Sequence, residues 1–213
     1  MKHTFKTFMI LSFMVCSWGF CAFGLDQIGK SMKISVSTAF PPQARTTGTV
    51  GANVSNSRSM WIQIDLKFKV KDEKVAARRF LDNPQLDIQL AVLPDKKTGP
   101  AVIFSGKINY ITLEFDGREH NLKALLPAVL FRRHAYNRQM ERVNFAVKAS
   151  YSAGGKVSAV AYGSNKGLPE KDIRSFFNAI PRDAVSAPDT IFGRQGTSWS
   201  IIEVNKYEME KIK

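Results

Sequence analysis

The sequence predicts a mainly β protein, an immunoglobulin-like β-sandwich with one or two short helices in its connections. Several segments alternate strictly between apolar and polar residues, which is the period of a strand with one face on a core and one in water. Turn signals separate these segments, and only two segments show helical spacing. About seven to nine short strands with so few helices are typical of two packed sheets. A barrel with a similar number of strands is the alternative.

Residues 1–24 have the pattern of a secretory signal peptide. Lys2 and Lys6 provide a basic head, an apolar run follows, and the small residues Ala22 and Gly24 stand at the −3 and −1 positions before Leu25. The sequence therefore predicts an exported protein, located in the periplasm, on the outer-membrane surface or outside the cell. The remainder, 25–213, is one ordinary domain by length.

Two alternatives to cleavage exist for this leader. Cys21 could carry a lipid, but Phe20 precedes it, where bacterial lipoproteins have a small residue. The apolar run could stay as an anchor, although it lies at the lower edge of the about 17–25 residues that a spanning helix needs. Cleavage is the prediction, with no stable membrane insertion afterwards. Since Cys16 and Cys21 both lie in the leader, the mature chain would have no disulfide.

The clearest strand runs from Trp61 to Lys71. Apolar side chains from Ile62 to Val70 occupy one face, and polar ones from Gln63 to Lys71 the other. Segments 86–92 and 142–151 repeat this alternation, and 156–162 reads as the return strand of a hairpin. Shorter strands are predicted at 33–39, 101–105, 107–115 and 198–205. Asp116-Gly117 predicts a tight turn after which 118–122 pairs back.

Two segments predict helices. Residues 169–180 place Ile173, Phe176, Phe177 and Ile180 at i, i+3, i+4 and i+7, with Pro169 in the first turn. Residues 72–81 predict a shorter helix that ends before Pro84. We expect the core to include a set of large apolar residues from both kinds of element: Ile64, Leu66, Phe68, Phe145, Val147 and Phe176.

Residues 41–59 predict a long flexible loop. The segment contains no aromatic residue, no Leu and no Ile, and is rich in Gly, Thr, Ser and Asn. It holds Asn53-Val54-Ser55, an acceptor pattern for N-linked sugar that has no meaning by itself in a bacterium. This composition fits either a plain connection between two strands or a loop with a function.

The sequence shows no catalytic constellation, so we expect no enzyme, no cofactor and no metal site. His120 lies beside the expected turn and reads as solvated surface, and His134 follows Arg132-Arg133, which would repel a cation. Segment 163–167 places its serine wrongly for a nucleophile elbow. Paired carboxylates of a glycosidase come from separate strands, so spacing does not test for them.

The formal net charge of +13 points to an anionic partner. Acidic glycans, phospholipid head groups and an acidic protein all fit, whereas nucleic acid is not expected as the ligand of an exported protein. The alternative is that the charge serves solubility.

Two basic features are candidate partner-binding surfaces. The first is a lysine stripe of Lys67, Lys69 and Lys71 on one strand face, which could instead protect a sheet edge from unwanted pairing. The second is an arginine-rich loop before strand 142–151. Arginine beside tyrosine suits anion recognition and protein interfaces, although a solvated loop would look the same. Its members are Arg132, Arg133, Tyr136, Arg138 and Arg142.

The leader, the strand 61–68 and the segment 123–134 resemble small exported proteins of Akkermansia-type Verrucomicrobia. Those proteins are encoded in type IV pilus-like gene clusters and have an immunoglobulin-like fold. The resemblance implies a role in assembling or decorating a pilus. Type IV pilins keep a long apolar helix after a short leader, but here the apolar run precedes the predicted cleavage site. An accessory protein is therefore expected rather than the filament subunit.

The prediction is an exported, non-enzymatic accessory protein associated with a type IV pilus or secretion machinery at the cell surface, with a protein partner. A carbohydrate-binding module for acidic glycans is the alternative.

Overall fold

The structure is a computed structural model, and it describes residues 32–39, 60–69, 80–94, 99–114, 119–135, 142–153 and 156–193. Several predictions lie outside these residues: the signal peptide 1–24, the loop 41–59, most of the helix 72–81, the strand 198–205, and the site residues Lys71, Tyr136 and Arg138. The strands are β1 (Lys33–Ala39), β2 (Trp61–Lys69), β3 (Phe80–Asp82), β4 (Gln85–Val92), β5 (Val102–Asn109), β6 (Thr112–Glu114), β7 (Glu119–Leu126), β8 (Phe145–Ala153), β9 (Lys156–Ser164), β10 (Val185–Ala187) and β11 (Phe192–Gly193). The helices are α1 (Ala128–His134) and α2 (Glu170–Asn178).

The long strands form two sheets, which confirms the predicted β-sandwich. The first sheet has the order β1-β2-β7-β11, and the second has the order β10-β5-β4-β8-β9. Strands β1, β2 and β7 facing β5, β4, β8 and β9 reproduce the A-B-E against C′-C-F-G order of immunoglobulin domains. Both additional edge strands, β10 and β11, follow β9 in the chain. Strands β3 and β6 form a separate pair.

The core lies between the sheets and follows the alternation in the sequence. On β2, Ile62, Ile64, Leu66 and Phe68 are buried, while Lys67 and Lys69 are exposed. Fully burying an apolar side chain of this size contributes about 1.5–3 kcal/mol. The predicted core residues Ile64, Leu66, Phe68, Phe145 and Val147 are all buried in it.

The helix predicted at 169–180 is confirmed as α2, and it covers part of the outer face of the second sheet. Ile173 and Phe177 pack against Ala91, Ile103 and Ala146, which are small or branched residues on that face. Phe176, expected in the core, is only half-buried at the margin of this smaller cluster. The reason is that a single helix on a flat sheet buries a narrow stripe, here the i and i+4 pair Ile173 and Phe177.

Three local predictions are wrong because pairing between distant strands overrides the local pattern. Phe80 and Leu81, predicted as the end of the helix 72–81, belong to the strand β3, which pairs with β6. The two strands expected on either side of Gly106 are one continuous strand, β5. The segment after Asp116-Gly117 does not pair back, because β7 lies between β2 and β11.

The position of β7 also corrects the prediction for His120. This residue lies opposite Phe68, on the face of β7 that Leu122, Ala124 and Leu126 turn toward the core. Its imidazole is 5% exposed and stacks on the Phe68 ring with a centroid distance of 5.3 Å. His120 is therefore part of the interior and not solvated surface.

The segment Val185–Gly193, which we call the strap, closes one open side of the sandwich. Its first part, β10, is parallel to β5 of the second sheet, and its last part, β11, is antiparallel to β7 of the first. Ala187 at the end of β10 and Ile191 just before β11 are buried in the main core. On the opposite side, a Cβ at Gly163 of β9 would lie 2.6 Å from the Cβ of Ile34 on β1, so the two sheets meet closely there.

Candidate functional site

The segment predicted as an arginine-rich loop contains the helix α1, which corrects that prediction. Pro127 has no N–H to donate, and it ends β7 and stands at the helix N-cap. Ala128, Phe131 and Ala135 are buried at i, i+3 and i+7, which is the spacing of one helix face. This spacing was present in the sequence and could have predicted the helix.

Phe131 attaches α1 to the core at one end of the sandwich. Its ring stacks on Phe104 of β5 with a centroid distance of 5.9 Å and meets Phe145 of β8 edge-on at 6.1 Å. His134 meets Phe104 edge-on at 6.1 Å. These contacts hold the helix against the second sheet, while Pro127 connects it to the end of β7 in the first.

The outward side of α1 presents Val129, Arg132 and Arg133, all exposed. The last turn of the helix holds Arg132 and Arg133, and the helix dipole favours cations at this end. Sequence reasoning predicted the arginines but missed Val129. The helical spacing of the buried residues would have placed Val129 on the outside.

Arg142 lies at the same end of the sandwich, three residues before Phe145. The turn that carries it is tied to the end of β9, because the Asn165 side chain accepts from the Phe145 N–H and donates to the Val143 carbonyl, both at 2.9 Å. Lys166 Nζ donates to the Arg142 carbonyl at 3.3 Å. We call Arg132, Arg133 and Arg142 the arginine surface.

Two of the three arginines on this surface, Arg133 and Arg142, have no nearby carboxylate to neutralise their charge among the described residues. Both side chains are exposed. An exposed guanidinium without an internal acid remains available for bidentate contact with a carboxylate, phosphate or sulfate.

The lysine stripe lies at the other end of the first sheet. Lys69 pairs in register with Glu119, the first residue of β7, whereas α1 follows the last residue of that strand. Seven residue steps along a strand separate these ends by about 24 Å. The structure therefore separates the two candidate surfaces.

The interpretation of the stripe as edge protection is wrong, because β2 is paired on both sides, with β1 and with β7. Lys67 and Lys69 are exposed on the outer face of the sheet, and Lys67 Nζ lies 3.5 Å from Glu119 Oε1. The stripe is thus partly neutralised, which makes it the weaker of the two surfaces as an anion site.

A second ion pair on the same face joins Lys123 Nζ to Asp65 Oδ1 at 3.5 Å. The Lys123 side chain is only 7% exposed, and Gln63 also donates to the Asp65 carboxylate. The pairing of Asp65 with Lys123 in the β2–β7 register explains this contact, which sequence reasoning missed. Because the two charges neutralise each other, this pair offers little charge to a ligand.

Among the described residues, no group of three or more His, Cys, Asp or Glu side chains is arranged to hold a metal ion. His120 and His134 each pack against a phenyl ring. Within the same residues, neither helix is long and apolar enough to cross a membrane.

Comparison with known proteins identifies a similar fold. No family model matches the chain, and no curated protein matches it. Among solved structures, the crystal structure of a protein from Akkermansia muciniphila superimposes with a TM-score of 0.54 and 14% sequence identity, over 85% of this chain and 95% of that one. The chain thus shares its fold with a protein from the group of organisms whose exported proteins its sequence resembles.

Proposed function

We propose that the chain is an exported, non-enzymatic accessory protein of a pilus-like or secretion assembly at the cell surface, where it binds a protein partner through the arginine surface. Support for the pilus comes from the resemblance of residues 61–68 and 123–134 to exported proteins encoded in pilus-like gene clusters, and the fold shared with the Akkermansia muciniphila protein agrees with the group of organisms that carries those clusters. Support for export comes from the leader pattern in residues 1–24.

The observation that carries the binding role is the way α1 is built. Phe131 fixes the helix to the core, so Arg132 and Arg133 project from a firm support instead of a loop. A preorganised side chain loses less conformational entropy when a partner binds. Arginine on such a support is among the residues most often found at interface hot spots.

An accessory role fits the placement of apolar residues better than a filament role does. A filament subunit would polymerise through a long apolar N-terminal helix, yet the apolar run here precedes the predicted cleavage site. The described residues form an apolar core between the two sheets and a smaller apolar cluster under α2. A core of this kind supports a binding module that does not depend on a polymerising helix.

The test is co-purification from the native host. The tagged full chain should bring down pilus or secretion components, and the triple variant Arg132→Ala, Arg133→Ala, Arg142→Ala should bring down less of them. Raising the salt should weaken the wild-type contact similarly, because the screening length falls below about 8 Å. The matched control is Lys67→Ala with Lys69→Ala, which removes two exposed cations at the other end of the sheet.

Three outcomes contradict parts of the proposal. If the triple variant unfolds, the arginines are structural. If it folds and retains every partner at wild-type strength, the contact lies elsewhere and the lysine stripe is the next surface to test. If no pilus or secretion component co-purifies with the wild type, the assembly role is wrong.

A further inference from the structure

We propose that the arginine surface recognises an acidic protein segment that also carries an apolar side chain, and that this side chain packs on Val129. The inference deepens the proposed function, on which it rests, by naming the chemistry of the partner. The partner segment would place its carboxylates on the guanidinium groups and its apolar side chain between them.

The geometry of α1 places Val129 within the cationic face. At 100° per residue, Arg132 is rotated by about 60° to one side of Val129 and Arg133 by about 40° to the other. Residues three and four apart on a helix are surface neighbours with Cβ atoms about 5–6 Å apart. Val129 is 56% exposed, so an apolar side chain stands on the helix surface between the positions of two arginines.

The charge of the face selects an anionic partner. Arg133 and Arg142 have no carboxylate in ion-pairing contact among the described residues, and α1 itself contains no acid. Two or three carboxylates would therefore complement the surface, since paired guanidinium and carboxylate groups form short, bidentate hydrogen bonds.

Val129 distinguishes a protein segment from the other anionic candidates. An acidic glycan supplies carboxylates or sulfates but no aliphatic side chain to cover a valine. A lipid surface requires a broad apolar face to insert, whereas α1 buries Ala128 and Phe131 in the core and leaves Val129 exposed among cations. An acidic segment with one apolar residue uses every exposed group on this face.

The experiment titrates the full chain with short peptides and follows binding by chemical-shift changes. One probe contains Glu-Leu-Glu between Gly and Ser flanks, and the other has Ser in place of Leu. The Leu probe should bind about fivefold more tightly, the ratio that corresponds to about 1 kcal/mol from covering part of a valine. Val129→Ser should abolish this difference, and Arg133→Glu should weaken both probes strongly.

Matched controls exist on the same chain. Val157→Ser removes an exposed valine from β9, where the side chain is 62% exposed, and Lys171→Glu reverses an exposed cation on α2. Both should leave the titration unchanged. Since Val129 and Arg133 are exposed, their variants should keep the wild-type thermal melt, and Arg133→Gln provides a milder test if charge reversal unfolds the chain.

The outcomes separate this inference from the proposed function. Equal binding of the Leu and Ser probes, or a Leu preference that survives Val129→Ser, overturns the inference. Polygalacturonate that binds more tightly than the Leu probe through the same arginines also overturns it, in favour of an acidic glycan. If Val129→Ser binds pilus components as the wild type does while the arginine triple variant loses them, the proposed function stands without this inference.

Discussion

The rings of Phe131 and Phe104 stack with their centroids 5.9 Å apart, and this contact joins α1 to the core at one end of the sandwich. Phe131 is 1% exposed and Phe104 is completely buried. The position of the exposed arginines therefore depends on an aromatic contact beneath them.

Replacing Phe131 by Ala should destabilise the protein by about 3–5 kcal/mol, because it removes a buried ring from between Phe104 and Phe145. The control, Arg133→Ala on the exposed side of the same helix, should cost less than about 0.5 kcal/mol. Chemical denaturation of the full-length variants measures both. Equal losses would mean that α1 does not pack as described.

Replacing Gly106 by Ala should destabilise the protein by about 1–3 kcal/mol or more. A Cβ at this position would lie 2.0 Å from the Ile191 carbonyl oxygen, so β5 and the strap must move apart. Ser105→Ala is the neighbouring control, since it keeps the Ser105 carbonyl that accepts from the Thr190 and Ile191 N–H groups at 2.9 and 3.2 Å. A Gly106→Ala melt identical to that of Ser105→Ala would show that the strap does not lie on β5.

Phe68→Ala should cost about 3–5 kcal/mol, because the ring is 2% exposed and contacts both His120 and Tyr151. Lys69→Ala, on the opposite face of β2, should cost less than about 0.5 kcal/mol. The pair tests the direction of the strand faces in a urea titration. A larger loss of stability for Lys69→Ala than for Phe68→Ala would mean that the buried and exposed faces of β2 are the other way round.

The mature chain should begin at Leu25 or within a few residues of it, because Ala22 and Gly24 occupy the −3 and −1 positions before it. Intact-mass measurement on protein purified from the native host checks this. Retention of residues 1–24, or a lipid on Cys21, would rule out export as a soluble chain.

The fold could be predicted wherever burial alone decides the structure. On β2 the alternation from Ile62 to Phe68 gave both the strand and its buried face, because one side of that strand packs on the core. On α2 the spacing of Ile173 and Phe177 gave the helix. In these segments the local pattern and the tertiary environment agree.

The features of the fold that the sequence does not predict depend on contacts between residues distant in the chain. Gly106 reads as a break in a strand, but it is a glycine because the Ile191 carbonyl approaches β5 there. His120 reads as surface until β7 is known to pair with β2, which turns the imidazole toward Phe68. Such partners lie tens of residues away in the sequence, so no local window contains them.

For the candidate site, the sequence predicted which residues are cationic but not how they are presented. The sequence predicts a loop for Arg132 and Arg133, whereas the helix gives them a common face with Val129. The separation of the lysine stripe from the arginine surface also required the direction of β7. The sequence therefore identifies the cationic residues, and the strand topology determines where on the protein they lie.

The strap has a consequence for the order in which the chain can fold. Its contacts with β5 and β7 close the side of the core that holds Ala187 and Ile191. Synthesis from the N-terminus produces β2, β4, β5 and β7 well before residues 185–193. This side of the sandwich therefore stays open until the strap has been made and pairs with both sheets.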